Sequence, residues 1–438
     1  MKIKNSPKVE LLATSILKPN PRNARTHSDK QIRQLAANIK RFGFLVPVVV
    51  DDDNMIAAGH GRWEAAKRLD LLKVPCIRAK FLSETDRSAF ALAENRLAEL
   101  SSWDPEILSD ELELLFEAEF DISTIGFSTA DLDFALVDEE EAKPAKAEKV
   151  ELPNPDSRAV SRVGDRWDFG QQHRLYCGDS REVASWEALL GDERAQLVFA
   201  DPPFNVAING HVSSTGRHRE FVAGSGEFSA PEFTTFLRQA FRNCVRFSVG
   251  GSIHFHCMDW RHIREILDAA DGVYDEFKQL LVWVKSNGGM GTFYRSRHEL
   301  VFAFKAGAGK HINNFGLGET GRYRTNVMEY TGANAFRKGR AEDLEAHSTV
   351  KPTALVADLI LDCSNRGDLV VDPFLGSGTT LIAAHRTRRR AAGIELDPLY
   401  VDTAVRRLVK ASKLTPVLAG DGRAFDEIAL ARTTGEES

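Results

Sequence analysis

The chain has 438 residues, of which 43% are apolar and 27% charged, and its net charge at pH 7 is −6. This length exceeds the usual size of one hydrophobic core, so we expect at least two domains. The slightly acidic balance argues against a protein that coats nucleic acid through overall positive charge. No apolar run reaches the length of a membrane span, and no signal-peptide core follows the first residues. We therefore expect a cytoplasmic protein without membrane contact.

The cysteine and histidine patterns predict no metal site. The five cysteines are scattered and never spaced as Cys-x-x-Cys, which argues against a disulfide framework or a structural zinc site. His254 and His256 alternate along a predicted strand and share one of its faces. A metal would need a third ligand, and no acid or cysteine stands at a suitable offset. We interpret both histidines as polar residues near a strand end.

A glycine-rich turn is the main feature of the first part of the chain. Gly59-His60-Gly61-Arg62 separates a short strand, residues 55–57, from a predicted helix that begins at Trp63. Glycine lets the backbone approach a ligand closely, and amides at a helix N-terminus beside an arginine suit a phosphate. A tight strand-to-helix connection without a ligand is the alternative.

Together with Asn23-Ala24-Arg25 upstream and the strand at residues 74–77, this turn resembles the ParB-like, or sulfiredoxin-like, nucleotide-binding domain. The resemblance covers roughly residues 8–82. It implies binding of nucleotide phosphates, and hence a nucleoside triphosphate partner, at Arg25, Gly59, His60, Gly61 and Arg62. Two helical patterns within residues 83–137 predict a helical cover without catalytic residues. No long helix-turn-helix extension of the plasmid-partition type is evident.

A charged segment separates this region from the rest of the chain. Residues 138–158 contain proline and few large apolar side chains. Such a composition cannot bury enough apolar surface to fold, so we predict a flexible charged linker. It divides a ParB-like domain with a helical extension, residues 1–137, from a second domain, residues 159–438.

Strands and helices alternate through the second domain, which is typical of an α/β fold with an open, mainly parallel sheet. The apolar strand at residues 195–199 leads into Asp201-Pro202-Pro203-Phe204. One interpretation is a proline-rich turn. The other is a pocket for a flat ring with an amino group, in which Asp201 accepts a hydrogen bond and Phe204 stacks on the ring. Asp179 follows an earlier strand and should lie on the same edge of the sheet.

A second glycine-rich turn joins a strand to a helix near the end of this domain. Phe374-Leu375-Gly376-Ser377-Gly378-Thr379-Thr380 follows Asp372 closely, and Glu395 ends the next predicted strand. Glycines that let the backbone approach, with an acid that accepts from ribose hydroxyls, are how such sheets hold an adenosine. A dinucleotide-dependent dehydrogenase is the alternative, but the third glycine of Gly-x-Gly-x-x-Gly is absent.

Three motifs in this order resemble the β-group DNA amino-methyltransferases of the N6-adenine/N4-cytosine family: Asp201–Phe204, His347–Pro352 with Ser348 in place of the usual proline, and Phe374–Gly378. The resemblance implies a Rossmann-like sheet that binds S-adenosyl-L-methionine, beside the smaller α+β ParB-like domain. It implies catalytic roles for Asp201, Pro202, Pro203 and Phe204. The implied cofactor-binding residues are Asp179, His347, Thr349, Lys351, Asp372, Phe374, Gly376, Gly378, Thr379, Thr380 and Glu395. Asp421, which stands in a similar Gly-Asp sequence, is the alternative to Asp179.

The resemblance implies site-specific methylation of the adenine N6 amino group in DNA, after the target base is flipped out of the duplex. An acid in the first position favours adenine, because cytosine-N4 enzymes of this family usually begin the motif with serine. A cytosine-N4 enzyme, a guanine-N2 RNA methyltransferase and a ParB-like DNA-binding regulator with an inactive methyltransferase domain are the alternatives.

The expected partner is double-stranded DNA, contacted by the basic loops at residues 205–229 and 307–346, the second of which contains Lys310 and Arg324. These expectations suit a prophage or restriction-modification protein that associates with the nucleoid. The sequence allows a homodimer but does not establish the oligomeric state.

Overall fold

The computed structural model describes residues 8–81, 83–101, 103–118, 120–127, 158–206, 224, 226–285, 294–315, 324–330 and 351–434. The chain divides into two compact units, Met1–Lys143 and Pro144–Ser438. The predicted linker lies outside the described residues except for residue 158, so its flexibility and the domain boundaries stay predictions. No helix in the described parts is long and apolar enough to cross a membrane.

The first unit is built on a four-stranded mixed sheet with the strand order β1-β4-β2-β3. Its elements in chain order are β1 (Val9–Ala13), α1 (Asp29–Phe42), β2 (Val48–Val50), β3 (Ile56–Ala58), α2 (His60–Arg68), β4 (Lys73–Arg78), α3 (Glu84–Glu99) and α4 (Pro105–Glu117). Trp63 of α2 packs on Val48 and Ile56 in the core. Helix α2 begins at His60, three residues before the predicted start, because Gly59 caps it in the left-handed conformation.

The second unit contains a ten-stranded mixed sheet with the order β11-β9-β10-β8-β7-β12-β13-β6-β5-β14. Its strands are β5 (Arg166–Phe169), β6 (His173–Cys177), β7 (Ala195–Ala200), β8 (Ser248–Met258), β9 (Glu276–Val284), β10 (His298–Ala306), β11 (Val327–Glu329), β12 (Leu369–Asp372), β13 (Arg390–Glu395) and β14 (Val417–Leu418). Its helices are α5 (Val183–Leu190), α6 (Ala230–Arg246), α7 (Ile263–Ala270), α8 (Thr353–Cys363), α9 (Thr379–Arg386), α10 (Pro398–Ser412) and α11 (Phe425–Thr434).

The centre of this sheet is parallel, as predicted, and helices cover both of its faces. Strands β8, β7, β12, β13 and β6 run parallel to one another. Leu197 and Phe199 of β7 pack into the core that contains residues of α8, α9 and α10, whereas Val198 and Ala200 pack with residues of α5. A strand that is buried on both faces must be apolar at nearly every position, which explains the unbroken apolar run before Asp201.

The topology brings the ends of many strands to one edge of the sheet. The carboxyl ends of the parallel strands meet there. Strand β10 runs antiparallel to both β8 and β9, so that its first residues lie beside the last residues of these two strands. We call this edge the catalytic edge. The acidic residues at or next to strand ends on it include Asp179, Asp201, Glu299, Asp372 and Glu395.

Candidate active site

Asp201 stands directly after β7, where the chain leaves the sheet. Pro202 has no N–H to continue the ladder, so the strand stops at Ala200. Asn205, at φ +51°, closes the turn that follows. Its side-chain nitrogen donates to the Phe228 carbonyl at 2.8 Å, and its side-chain oxygen accepts from the Phe228 amide at 3.1 Å. Gly224 packs so closely on Pro203 that a Cβ there would lie 2.7 Å from the proline Cβ. The turn is therefore held at both ends.

Asp201 belongs to a cluster of two acids and two lysines, which we call the acid–lysine cluster: Asp201, Lys285, Glu299 and Lys351. The Lys351 ammonium lies 2.7 Å from Oδ1 and 2.8 Å from Oδ2 of Asp201, and 3.0 Å from Oε2 of Glu299. Lys285 forms an ion pair with the other oxygen of Glu299. Lys351 is 7% exposed and also lies 5.1 Å from the centre of the Phe204 ring.

The cluster gives its two acids different proton affinities. Burial raises the pKa of Asp201, with a further rise from the charge of Glu299, and Lys351 opposes both effects. Burial also works against the charge of Glu299, but Lys351 and Lys285 together hold the pKa of this carboxyl below its ordinary value. Burial opposes the charge of Lys351 as well, yet the two acids outweigh it and raise the pKa of the ammonium. Asp201 is therefore the more basic carboxylate, which suits a group that accepts a proton from a bound amine.

The second glycine-rich turn lies between β12 and α9 on the same edge. Gly376 and Gly378 both have positive φ angles, +53° and +85°. The Gly376 amide donates to Glu395 Oε2 at 2.7 Å, and Asp372 accepts from the Thr380 hydroxyl at 2.5 Å. Burial raises the pKa of both carboxyl groups to about 7. The turn is thus braced by two acids that titrate near neutral pH.

Asp179 and Asp421 have the same local structure but different places in the sheet. Each carboxylate is held in a two-pronged contact by the arginine two residues later, Arg181 or Arg423. Asp179 follows β6, within the parallel part of the sheet, whereas Asp421 follows the edge strand β14. Strand β6 pairs with β13, which ends at Glu395, whereas β14 is separated from β13 by two strands. This position next to the second glycine-rich turn supports the choice of Asp179 for the cofactor. Its role stays a prediction.

In the first unit, the residues of the Gly59–Arg62 turn come together at the start of α2. The His60 ring accepts from the Asn20 amide at 3.1 Å, and Gly61 is so close to the His27 ring that a Cβ would lie 3.1 Å from it. Burial lowers the pKa of the Arg62 guanidinium, and its Nε has no hydrogen-bond partner among the described residues. Arg25 does not join this group through any described contact, because its guanidinium pairs with Glu99 at 2.5 Å.

Comparison with protein families identifies the domains that contain these two sites. Residues 195–406 match the family model of the DNA methylases, residues 2–96 match the ParB N-terminal domain, and residues 106–163 match the ParB-methyltransferase HTH domain. The chain joins a DNA methylase domain to a ParB N-terminal domain. The match identifies a DNA methyltransferase domain of the N6/N4 family, which uses S-adenosyl-L-methionine. It confirms the predicted DNA methyltransferase and cofactor and does not distinguish adenine from cytosine N4 as the target.

Two curated proteins are similar to the methylase domain. The Type II methyltransferase M.HpaI of Haemophilus parainfluenzae is 26% identical over 255 residues, which are 54% of this chain and 74% of M.HpaI. The Type II methyltransferase M.HinfI of Haemophilus influenzae is 27% identical over 236 residues, or 50% of this chain and 64% of M.HinfI. The chain thus spans slightly less than two thirds of the second relative.

Solved structures are similar to both parts of the chain. The cytosine-N4-specific PvuII DNA methyltransferase is 16% identical, with a TM-score of 0.43, over 60% of this chain and 93% of that one. The C-terminally truncated partitioning protein ParB from Caulobacter crescentus, in complex with CTP-γ-S, is 24% identical, with a TM-score of 0.27, over 32% and 82% of the two chains.

The residues at the second glycine-rich turn of the methylase fit the adenosine part of S-adenosyl-L-methionine. A Cβ at Gly376 would meet nothing within 4 Å, so open space lies beside this backbone position. The half-buried carboxylate of Glu395 stands at the end of the next strand, as an acceptor for ribose hydroxyls. Arg407 of α10 donates to the Ser377 carbonyl at 2.6 Å and to its hydroxyl at 2.8 Å, which fixes the turn from behind.

The structure places most of the predicted methylase residues on the catalytic edge, whereas its described contacts do not support the roles predicted for Lys351, His347, Thr349 and Arg324. Lys351, predicted to bind the cofactor, contacts the catalytic acid, and its cofactor role stays a prediction. His347 and Thr349 lie outside the described residues, so their roles stay predictions. Arg324, which the sequence placed in a DNA-contacting loop, forms ion pairs with Asp358 and Asp362 of α8 at 2.6 and 3.2 Å. These ion pairs hold the chain before β11, and the DNA contact of Arg324 stays a prediction.

The sequence did not predict two features of the chain. Glu299 and Lys285 complete the acid–lysine cluster, and neither was among the predicted site residues. The helix-turn-helix match at residues 106–163 corrects the expectation that such an extension is absent. It covers α4 and runs through the predicted linker, and most of it lies outside the described residues.

Proposed function

We propose that this chain methylates the N6 amino group of adenine at specific sites in double-stranded DNA. One observation carries the proposal: an aspartate stands first in the catalytic motif and is the more basic acid of its cluster. The resemblance to the family links a first-position acid to adenine and a first-position serine to cytosine N4. Methylation of a base inside a duplex also requires that the base leave the stack, so base flipping is part of the proposal.

The chain's own residues supply positioning and proton transfer. When bound, S-adenosyl-L-methionine supplies a sulfonium methyl group whose C–S bond breaks, with the electron pair left on sulfur, as the target nitrogen forms the new N–C bond. Asp201 accepts one amine hydrogen and takes the proton when positive charge develops on nitrogen. The Pro202 carbonyl accepts the second amine hydrogen, and Phe204 stacks on the base. Holding the nitrogen in line with the methyl group is the main catalytic contribution.

The base can be identified directly. The purified protein is incubated with unmethylated DNA and S-adenosyl-L-methionine labelled in its methyl group, and the DNA is then digested to nucleosides and separated. We expect the label in N6-methyl-2′-deoxyadenosine, and base-resolution mapping of the same DNA gives the recognised sequence. Label in N4-methyl-2′-deoxycytidine would overturn the choice of adenine, and absence of label would overturn the enzymatic proposal.

Asp201→Ala tests the role of the acid in the same assay. We expect its turnover to fall by at least about 100-fold, because a positioned proton acceptor is lost. Lys278→Ala is a matched control, since Lys278 pairs with Glu276 on the surface of β9 and takes no part in the cluster. Equal activity of Asp201→Ala and the unmodified protein would contradict the assignment.

We propose a second function for the first unit, binding of a nucleoside triphosphate at the Gly59–Arg62 turn. The supporting observation is the partly buried Arg62 guanidinium, whose Nε is buried and has no hydrogen-bond partner among the described residues. A buried N–H group without an acceptor is costly, and a phosphate oxygen would supply that acceptor. Gly59 and the first amides of α2 add the donors that phosphates favour.

CTP is the probe for this site, since the similar ParB structure holds a CTP analogue. Isothermal titration should detect CTP binding to the whole chain, and Arg62→Ala should weaken it by at least about tenfold through loss of a charge-assisted contact. Arg25→Ala should weaken it less, because Arg25 is paired with Glu99. Failure of CTP, ATP and GTP to bind the unmodified protein would overturn this second proposal.

A further inference from the structure

Lys351 is placed to act on the catalytic acid and not on the cofactor. All of its described contacts are with the acid–lysine cluster and the ring of Phe204. It is almost completely buried, and a buried ammonium is costly unless acids compensate it. Two acids do so here, and Lys285 pairs with the second of them, so that the cluster contains two acids and two lysines.

We propose that Lys351 is a positioning residue that keeps the Asp201 carboxylate ionised and turned toward the target amine, with Glu299 as its second anchor. This proposal rests on the methyl transfer proposed above. It concerns whichever amino group Asp201 receives, so it does not depend on the choice between adenine and cytosine.

The hydrogen-bond geometry supports a role in orientation. Lys351 donates to Oδ2 of Asp201 at 2.8 Å. Oδ1 lies 2.7 Å from the same nitrogen as part of the ion pair, and it accepts no hydrogen bond among the described residues. One oxygen of the carboxylate is thus fixed while the other retains its capacity to accept. That capacity is what a target amine needs.

The charges around Asp201 show why the lysine is needed. Asp201 and Glu299 both have oxygens within 3.0 Å of the Lys351 nitrogen, so the two acids lie close to each other. Without the lysine between them, two neighbouring carboxylates could not both stay ionised, and one would take up a proton. The other titratable groups that act on Asp201 or Lys351 are Lys285, Asp372 and the Cys257 thiol.

Glu299 and Lys285 fix the position of Lys351 from the sheet. Glu299 is the second residue of β10, and Lys285 directly follows β9. The two strands pair at this end, where the Lys285 amide donates to the Arg297 carbonyl at 2.9 Å. Lys351 comes from a different part of the chain, immediately before α8. The cluster therefore joins β7, β9, β10 and the start of α8 at the catalytic edge.

The test uses Lys351→Met, Glu299→Gln and the double variant. Total transfer of labelled methyl groups to DNA is measured from pH 6 to pH 9, whichever base receives the label, and cofactor binding is measured separately by titration. We expect Lys351→Met to lower kcat at pH 7 by about 100-fold and to recover part of that loss at pH 9, where Asp201 ionises without help. Its dissociation constant for S-adenosyl-L-methionine should stay within about twofold of the unmodified value.

The double variant gives the sharper result. Removal of the negative charge of Glu299 relieves the repulsion that Lys351→Met creates, so we expect at least about tenfold recovery of kcat at pH 7 relative to Lys351→Met. Glu299→Gln alone should shift the acidic limb of the kcat profile to lower pH, because Asp201 then loses a like charge. This single variant keeps the proposal testable if Lys351→Met does not fold.

Three results would overturn the proposal. A dissociation constant for the cofactor that rises by about tenfold or more, with kcat intact at saturation, would return Lys351 to the cofactor site. Equal loss of kcat at every pH, without recovery in the double variant, would indicate a structural role. An unshifted profile for Glu299→Gln would contradict the coupling of the two acids. Label on cytosine in the unmodified protein would overturn the adenine proposal and leave this comparison valid.

Discussion

Two turns in this chain share one backbone conformation at the start of a helix, but the side chains around them carry opposite charges. Gly59 caps α2 at φ 95° and ψ 28°, and Gly378 caps α9 at φ 85° and ψ 24°. Both glycines link a short strand to a helix. The side chain beside the first is the cation Arg62, whereas acids surround the second. In both places a left-handed glycine caps a helix and exposes the amides of its first turn. The side chains around each turn therefore decide between the two ligands that we propose, a nucleoside triphosphate and S-adenosyl-L-methionine.

A methyl group added at each glycine should produce the largest difference in stability between the two turns. A Cβ at Gly378 would lie 2.9 Å from the Ala404 Cβ and 3.1 Å from its Cα, and the backbone of α10 cannot move away cheaply. At Gly59 the nearest atom is the mobile end of Arg62, at 3.0 Å. We expect Gly378→Ala to cost about 3 kcal/mol, from left-handed strain plus overpacking, and Gly59→Ala about 1 kcal/mol from strain alone.

Thermal unfolding with and without S-adenosyl-L-methionine measures this difference. Gly378→Ala should lower the melting temperature and remove most of the stabilisation by the cofactor. Gly59→Ala should keep the stabilisation by the cofactor. Equal responses of the two variants would show that the contact with Ala404 does not constrain the turn.

The acids of the second turn make its ligand binding depend on pH. Burial raises the pKa of Glu395 to about 7, so this carboxyl is mostly protonated at pH 6 and mostly ionised at pH 8. The ionised form accepts hydrogen bonds from ribose hydroxyls. We therefore expect cofactor affinity to rise about tenfold from pH 6 to pH 8, and Glu395→Gln to be weaker and independent of pH.

Asp179→Asn is the matched control for this titration. Although burial works against its charge, the contacts with Arg181 hold the pKa of Asp179 below its ordinary value, so its charge does not change between pH 6 and pH 8. This variant should lose affinity by the same factor at both pH values. If Glu395→Gln keeps the pH dependence, Asp372 is the titrating group, because burial raises its pKa to about 7 as well.

The sequence predicted the parts of the site that follow from one strand and its turn. Asp201 after an apolar strand, and Gly376 and Gly378 before a helix, are local patterns with a direct physical meaning. Glu299 and Lys285 could not be placed in this way. They reach Asp201 because β10 inserts antiparallel between β8 and β9, and the spacing of residues along the chain does not contain that arrangement.

The buried histidines illustrate the same limit. The sequence placed His254 and His256 on one face of a strand, and the structure confirms this position on β8. It also shows that both rings hydrogen-bond to the Tyr274 hydroxyl, at 3.0 and 2.7 Å. Tyr274 stands beyond α7, and no periodicity within β8 points to it. Local sequence patterns therefore could not predict the hydrogen-bond partners of these buried polar groups.

The smallest expected effect on cofactor affinity concerns Arg407, which supports the second glycine-rich turn through hydrogen bonds to Ser377. Arg407 holds the Ser377 carbonyl and hydroxyl from α10, so Arg407→Gln should loosen the turn without removing an acid or a glycine. A charge-assisted hydrogen bond of this kind contributes about 1.5 kcal/mol or more, which corresponds to roughly a tenfold weaker cofactor. Titration with S-adenosyl-L-methionine at pH 8, where Glu395 is ionised, isolates this effect from the acids.

Arg406→Gln is the control, because Arg406 is the adjacent residue of α10 and its guanidinium lies 5.3 Å from the ring centre of Phe425 instead. Arg407→Lys should recover part of the affinity, since a lysine can still donate to the Ser377 carbonyl but cannot donate to two oxygens in the same fixed geometry. If Arg406→Gln and Arg407→Gln weaken the cofactor equally, the brace acts through the stability of α10. If the Arg407 variant alone is weaker, the cofactor turn depends on side-chain support as well as on its glycines and acids.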